Sequence, residues 1–143
     1  MVWLRGQTMS CANQDWVGLY KSDISIWCPD AFQHPAKMSP TLCFKIIDHL
    51  AELGLLQKGD TIIDGMCGIG TTLLCGAIRG FRTIGIELES KFKDLAEANK
   101  AALEKKLGHP IDLTIIQGDS RHLATLLSER GLIQIMSPPY KTA

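Results

Sequence analysis

The sequence predicts an α/β fold built on a doubly wound parallel sheet. From residue 39 onward, short apolar stretches typical of buried strands alternate with stretches whose apolar residues recur at helical spacing. A glycine-rich stretch also follows the first predicted strand. Strands and helices that alternate at this spacing form right-handed crossovers, and such crossovers produce a parallel sheet.

Four strands and four helices are predicted. The first helix begins at Pro40, after the candidate N-cap Ser39, and ends before Gly54. The predicted helices cover 40–53, 71–79, 90–107 and 120–130, and the predicted strands cover 61–64, 82–87, 111–117 and 132–136. Residues 1–33 contain all three tryptophans and show no clear period, so no element is predicted there.

Composition excludes several classes of protein. The chain of 143 residues carries 15 basic and 15 acidic residues, and it has ordinary apolar and charged fractions, unlike disordered or collagen-like chains. No apolar run approaches the roughly 20 residues that span a bilayer, and no secretory signal is present, so we expect a cytoplasmic protein. The five cysteines are odd in number and form no CxxC pair, which favours reduced, buried thiols over disulfides or zinc ligands.

Polar residues and glycines follow three consecutive predicted strands. Asp64 ends the first strand, and Gly68 and Gly70 follow it, where glycine lets the backbone approach a ligand closely. Glu87 ends the second strand, where a carboxylate can accept hydrogen bonds from both hydroxyls of a ribose. Asp119 follows the third strand and can accept from an adenine amino group. Ligands bind at this edge of such sheets, so the pattern indicates a nucleoside-containing cofactor.

Each of these residues has a simpler interpretation. The two glycines can serve only a tight turn, since the third glycine of a dinucleotide fingerprint is replaced by Leu73 and no GK[ST] phosphate loop is present. Glu87 can be a solvated strand end, and Asp119 can cap the helix that begins at Ser120. Their joint occurrence at three strand ends favours the ligand site.

The stretch IMSPPY, residues 135–140, places two prolines directly after the fourth predicted strand. Proline donates no backbone hydrogen bond, so Pro138 and Pro139 end the strand and form a stiff corner. Ser137 precedes this corner and Tyr140 follows it. The corner therefore holds two polar side chains at the same sheet edge as the candidate cofactor site.

Five stretches, in chain order, resemble motifs of the S-adenosylmethionine-dependent DNA amino-methyltransferases, some of which serve restriction–modification systems. They are HPAKMSP, DTIIDGMCGIGTT, TIGIELE, IIQGDS and IMSPPY, and they cover residues 34–140. The resemblance implies a Rossmann-like sheet of the class I methyltransferase type, with 34–143 forming the S-adenosylmethionine-binding half of a catalytic domain and 1–33 an N-terminal segment of unclear role. The first loop departs from the family's aspartate, proline, phenylalanine pattern, since Gly65, Met66 and Cys67 occupy the neighbouring places.

The resemblance also implies the activity, which is methyl transfer from S-adenosylmethionine to the exocyclic amine of a base in double-stranded DNA. Cytosine-N4 is favoured over adenine-N6, and no metal is required. Ser137 and the carbonyl of Pro138 would accept from the amine, and Tyr140 would stack on the flipped base. The residues implied at the cofactor are Lys37, Ser39, Asp64, Gly68, Gly70, Thr71, Glu87 and Asp119, with a solvated lysine before a helix as the alternative for Lys37.

Two other classes of function remain open. One is an RNA or small-molecule methyltransferase, because a fold does not fix its substrate; the other is a non-catalytic cofactor-binding remnant. The zero net charge argues against a self-sufficient DNA binder. Because the resemblance places further strands beside the fourth strand, we expect this chain to be the front half of a domain, self-associating and inactive unless a second polypeptide completes the sheet.

Overall fold

The computed structural model describes Trp16, Leu19 and residues 38–128 and 132–137. Within these residues, four parallel strands form one sheet: β1 (Thr61–Asp64), β2 (Arg82–Glu87), β3 (Leu113–Gln117) and β4 (Leu132–Gln134). The strand order is β3-β2-β1-β4, so the direction of winding reverses between β1 and β4. This arrangement confirms the predicted parallel α/β fold, and in it the first strand pairs with the fourth.

The helices alternate with these strands. They are α1 (Pro40–Glu52), α2 (Thr71–Ile78), α3 (Ser90–Leu107), a 3₁₀ turn (Ser120–His122) and α4 (Leu123–Leu126). Gly54 and Gly108 follow α1 and α3 with φ of 71° and 75°, the left-handed conformation in which glycine commonly ends a helix. None of the helices in the described ranges combines the length and the apolar character needed to cross a membrane.

Three of the predicted elements differ from the structure by more than one residue, while α1 and α2 each end one residue earlier than predicted. The predicted third strand begins at Leu113 instead of residue 111, because the backbone N–H of Ile111 donates to the Glu104 side chain of α3 at 3.1 Å. The predicted fourth helix begins as a 3₁₀ turn and stops at Leu126, because Leu127 adopts an extended conformation. The fourth strand ends at residue 134, two residues early, although Ile135 N still donates to Ile63 O at 3.0 Å.

The core lies around β1, β2 and α2. Ile62, Leu73, Leu74 and Ile86 are buried there with at most 1% of their surface exposed. The cysteines of the described residues, Cys43, Cys67 and Cys75, are free thiols and are buried, which confirms their interpretation as small apolar residues. Cys11 and Cys28 lie outside the described residues.

Thr83 in β2 carries a hydroxyl that we expect to reduce stability. Its side chain is fully buried, and its Oγ1 has no hydrogen-bond partner. Valine has the same branched shape without the hydroxyl, so Thr83→Val should raise the free energy of unfolding by about 1 to 2 kcal/mol. Urea unfolding measures the change, with the exposed Thr114→Val of β3 as the control. A less stable Thr83→Val protein would contradict the expectation.

Candidate active site

A cleft of about 480 Å³ opens at the carboxyl ends of all four strands. Its lining includes six residues predicted from the sequence, namely Asp64, Gly68, Thr71, Glu87, Asp119 and Ser137. Gly70 and Ser39 are not part of the lining. Lys37, Pro138, Pro139 and Tyr140 lie outside the described residues. The tertiary structure therefore brings predicted residues from four separate strand ends into one cleft.

The glycine-rich loop turns tightly between β1 and α2. Gly68 and Gly70 have φ of 53° and 87°, where any side chain would strain the backbone. Gly70 N donates to Cys67 O at 2.8 Å, and Gly70 occupies the N-cap position of α2. Gly70 thus shapes the loop by its backbone conformation, while Gly68 and Thr71 line the cleft.

Glu87 holds this loop in place. Its Oε2 accepts a hydrogen bond from Gly68 N at 2.8 Å, and its Oε1 accepts from Glu89 N at 2.9 Å. The residue is only 9% exposed. Each carboxylate oxygen has a second lone pair, so hydrogen bonds to a ribose stay compatible with these contacts. The ribose contact itself stays a prediction, and the loop contact is a role that the sequence did not indicate.

Asp64 is a buried carboxylate beside Glu87. Only 3% of its surface is exposed, and its Oδ1 accepts from Met66 N at 3.0 Å. Burial raises the pKa of Asp64, the negative charge of Glu87 adds to this effect, and hydrogen bonds from Thr72 and Met66 oppose it. In the described part of the chain, neither of these two carboxylates forms an ion pair.

Ser39 and Asp119 have partners that bear on their predicted roles. Ser39 precedes α1 as predicted, but its hydroxyl donates to Leu19 O at 2.6 Å and does not cap the helix. Asp119 accepts from Arg121 N at 2.9 Å and caps the 3₁₀ turn, which confirms the capping alternative. Asp119 also lines the cleft, so its contact with an adenine stays a prediction.

Comparison with known proteins bears on the fold. No protein-family model matches the sequence. The chain is 28% identical over 111 residues to the tRNA (guanine(10)-N2)-dimethyltransferase of Methanothermobacter thermautotrophicus, a match that covers 76% of this chain and 29% of that protein. Its fold matches TrmN from Thermus thermophilus, with a TM-score of 0.58, 23% identity and coverage of 79% of this chain and 32% of that one. It also matches the putative RNA methyltransferase PH1948 from Pyrococcus horikoshii, with a TM-score of 0.56, 20% identity and coverage of 76% and 52%. The chain has the class I methyltransferase fold.

The class I methyltransferase fold confirms the architecture that the sequence motifs implied. The expected DNA acceptor finds no support here, because the curated relative is named for tRNA. The chain spans about 29% of the length of the curated relative and about a third to a half of the two structures.

The cleft residues fit S-adenosylmethionine, the cofactor that the motifs imply. This molecule combines a ribose diol, a flat adenine ring and two positively charged groups. The cleft presents two neighbouring buried carboxylates, Asp64 and Glu87, which suit hydroxyl and cationic groups. It also presents the apolar side chains of Leu88 and Phe92, which suit the face of a ring.

Several residues of the site were not among the sequence candidates. Leu88 is 64% exposed at the cleft, and its position directly after Glu87 is a signal that sequence reasoning could have used. Asn99 is fully buried in α3, and its Nδ2 donates to Ile69 O of the glycine loop at 2.9 Å. Its signal is a polar residue on the buried stripe of a helix.

Replacing Asp64 by asparagine should stabilise the protein at neutral pH. The raised pKa means that the folded state binds a proton more tightly than the unfolded state. The contribution of Asp64 to stability is therefore largest below its unfolded pKa and is lost as the pH rises through its folded pKa. Asp64→Asn removes the buried charge, and we expect a gain of about 0.5 to 2 kcal/mol at pH 7 that shrinks in acid.

Urea unfolding of the Asp64→Asn and wild-type proteins from pH 4 to pH 8 tests this. The difference in unfolding free energy should grow with pH. The control is Asp94→Asn, which removes one carboxylate charge at an exposed position of α3. A difference that stays constant with pH would contradict the assignment of the raised pKa to Asp64.

Proposed function

We propose that this chain forms the S-adenosylmethionine-binding part of an RNA methyltransferase that modifies the exocyclic amine of a base. One observation carries the proposal: a single cleft contains the glycine loop and carboxylates of β1 and β2 together with Ser137 after β4. A methyl transfer needs a cofactor site and an acceptor site side by side. The similarity to a tRNA guanine-N2 dimethyltransferase supports RNA as the substrate class.

The residues of the cofactor side have distinct tasks in this proposal. S-adenosylmethionine supplies an electrophilic methyl group when bound. Glu87 holds the ribose and the glycine loop, while Asp64 provides negative charge for a cationic group of the cofactor. The backbone of the glycine loop can approach the ligand closely, because Gly68 has no side chain in the way.

The acceptor side depends on Ser137. An aromatic amine is a poor nucleophile because its lone pair is delocalised into the ring. A hydrogen-bond acceptor aimed at the amine hydrogens draws that lone pair out of the ring, and the Ser137 hydroxyl is suited to this task. By resemblance, the Pro138 carbonyl is a second acceptor, Pro139 keeps the corner rigid and Tyr140 stacks on the base.

DNA is the second candidate substrate. The tetrapeptide SPPY, residues 137–140, favours it, since this is the sequence element that most resembles the DNA amino-methyltransferases. The zero net charge favours neither polymer, because both carry phosphates. The similarity to a tRNA methyltransferase favours RNA over DNA as the substrate.

A tritiated-methyl transfer assay tests the proposal. The chain is incubated with labelled S-adenosylmethionine and either a tRNA transcript or mixed-sequence duplex DNA, and the digested nucleosides are then separated. If the chain transfers methyl groups without a second polypeptide, we expect label in an N-methylated nucleoside of the RNA. Label in DNA alone would establish the second candidate. Calorimetric cofactor binding without transfer to either would support a cofactor-binding module or a chain that needs a second polypeptide to complete its sheet, and absence of cofactor binding would refute the proposal.

Ser137→Ala should lower methyl transfer on the order of 100-fold while cofactor affinity stays unchanged, because the hydroxyl contacts the amine only during transfer. Single-turnover rates and calorimetric Kd values measure the two quantities. Ser128→Ala is the matched control, since Ser128 is exposed and not part of the cleft lining. A loss of cofactor affinity as large as the loss of rate would contradict the assignment of Ser137 to the acceptor.

A further inference from the structure

Asp119 and Arg121 form an ion pair in the lining of the cleft. The Nε of Arg121 donates to Oδ1 at 3.0 Å and to Oδ2 at 2.9 Å, and its Nη2 donates to Oδ2 at 2.5 Å. The backbone N–H of Arg121 donates to Oδ1 at 2.9 Å. One residue thus supplies every donor that the structure gives to this carboxylate.

These contacts take up most of the acceptor capacity of Asp119. A carboxylate has about four lone-pair positions, two on each oxygen. Three N–H groups point at them: the backbone N–H at Oδ1, Nη2–H at Oδ2, and the single Nε–H shared between both oxygens. An adenine amino group that approaches Asp119 therefore competes with the guanidinium for these two oxygens.

We propose that the Arg121 side chain competes with an adenine amino group for Asp119, so that Arg121 sets the selectivity of the cleft for the base of its cofactor. This inference rests on the proposed function, since it assumes an adenosyl cofactor. Arg121 acts through Asp119 and is a positioning residue. In this proposal the guanidinium turns away from Oδ2 when an adenosyl ligand binds.

The structure makes this movement inexpensive. The Arg121 side chain is 84% exposed, so its guanidinium can exchange the carboxylate for water. The backbone hydrogen bond from Arg121 N does not depend on the side chain, and it keeps Asp119 oriented after the guanidinium leaves. The Arg121 side chain lowers the pKa of Asp119 to about 2, so Asp119 is ionised at neutral pH while the pair is formed.

The Asp119–Arg121 pair should affect the binding of adenine and of hypoxanthine in opposite directions. Adenine carries an amino group at C6, which needs the Asp119 acceptor that Arg121 occupies. Hypoxanthine carries a carbonyl oxygen there, which Asp119 repels and to which Arg121 can donate. Removing the guanidinium should therefore favour adenine and disfavour hypoxanthine, a pattern that a general loss of structure does not produce.

Calorimetry with S-adenosylhomocysteine and S-inosylhomocysteine tests the inference. Arg121→Ala should bind the adenosyl ligand up to about fivefold more tightly than the wild type, the limit set by an exposed ion pair, and the inosyl ligand more weakly. Arg121→Met, which keeps the aliphatic part of the side chain, should show the same two changes in affinity. Lys106→Ala is the control, because it removes one exposed positive charge outside the cleft lining.

The outcomes separate the inference from the proposed function. The decisive quantity is the ratio of the affinity for the adenosyl ligand to the affinity for the inosyl ligand. If the wild type binds the adenosyl ligand and Arg121→Ala leaves this ratio unchanged or lowers it, the inference is wrong and the proposed function stands. If neither ligand binds any of the proteins, the cofactor assignment fails, and the inference fails with it. A higher affinity ratio in both Arg121 variants, with the ratio of Lys106→Ala unchanged, supports the inference.

Discussion

Gly85→Ala should destabilise the protein by about 1 to 3 kcal/mol and weaken cofactor binding at the same time. A Cβ at this position in β2 would lie 2.4 Å from Leu73 Cδ1, 2.7 Å from Cys67 Sγ and 2.9 Å from Cys67 Cβ. All three distances are shorter than side-chain contacts allow. Gly85 pairs with Asp64 in the sheet, and Cys67 belongs to the glycine loop, so the displacement must reach the cleft.

Urea unfolding and calorimetry with S-adenosylhomocysteine measure both effects. Gly118→Ala is the control for stability, because the three atoms nearest to its Cβ would all belong to the Leu126 side chain, with Cδ1 at 2.9 Å. Leu126 is a single half-buried side chain that can turn away, so we expect a smaller loss of stability. Equal stability of the Gly85→Ala and wild-type proteins would show that the loop yields more readily than this packing indicates.

Glu87→Ala should weaken cofactor binding by at least about tenfold. Hydrogen bonds to a charged group are worth about 1.5 to 3 kcal/mol each, and this carboxylate makes two to the backbone, at Gly68 and Glu89. Its removal leaves the Gly68 N–H without its partner inside a buried loop. We therefore expect the loop to lose its shape in addition to any ribose contact.

The choice of ligand separates the two roles of Glu87. If the carboxylate binds the ribose, the wild type should prefer S-adenosylhomocysteine to its 2′,3′-dideoxy analogue, and Glu87→Ala should lose that preference. If it serves only the loop, both ligands should weaken equally in Glu87→Ala. Glu52→Ala, an exposed carboxylate at the end of α1, controls for the change of net charge. A preference that survives in Glu87→Ala would refute the ribose assignment.

Elements with a strong local pattern were predicted with correct bounds. The bounds of β1, β2 and α3 agree with the structure residue for residue. β2 is a buried apolar strand, and α3 ends at Gly108, whose left-handed conformation stops the helix. The 120–130 helix was overextended, because periodicity over a few apolar residues does not reveal where the backbone turns to an extended conformation at Leu127.

The parallel α/β architecture and the strand ends at which the candidate site lies could be predicted from the sequence alone. Both follow from local patterns, since hydrophobic period and glycine placement are properties of neighbouring residues. The folded structure was needed to show which partners three side chains have: Glu87 contacts Gly68, Asn99 contacts Ile69 and Arg121 contacts Asp119. Two of these pairs join residues 19 and 30 positions apart, and the sequence has no signal for contacts made by folding distant elements together. The third joins near neighbours, but an arginine on a short turn can point to solvent or to the carboxylate, and only the three-dimensional arrangement of the cleft decides between them.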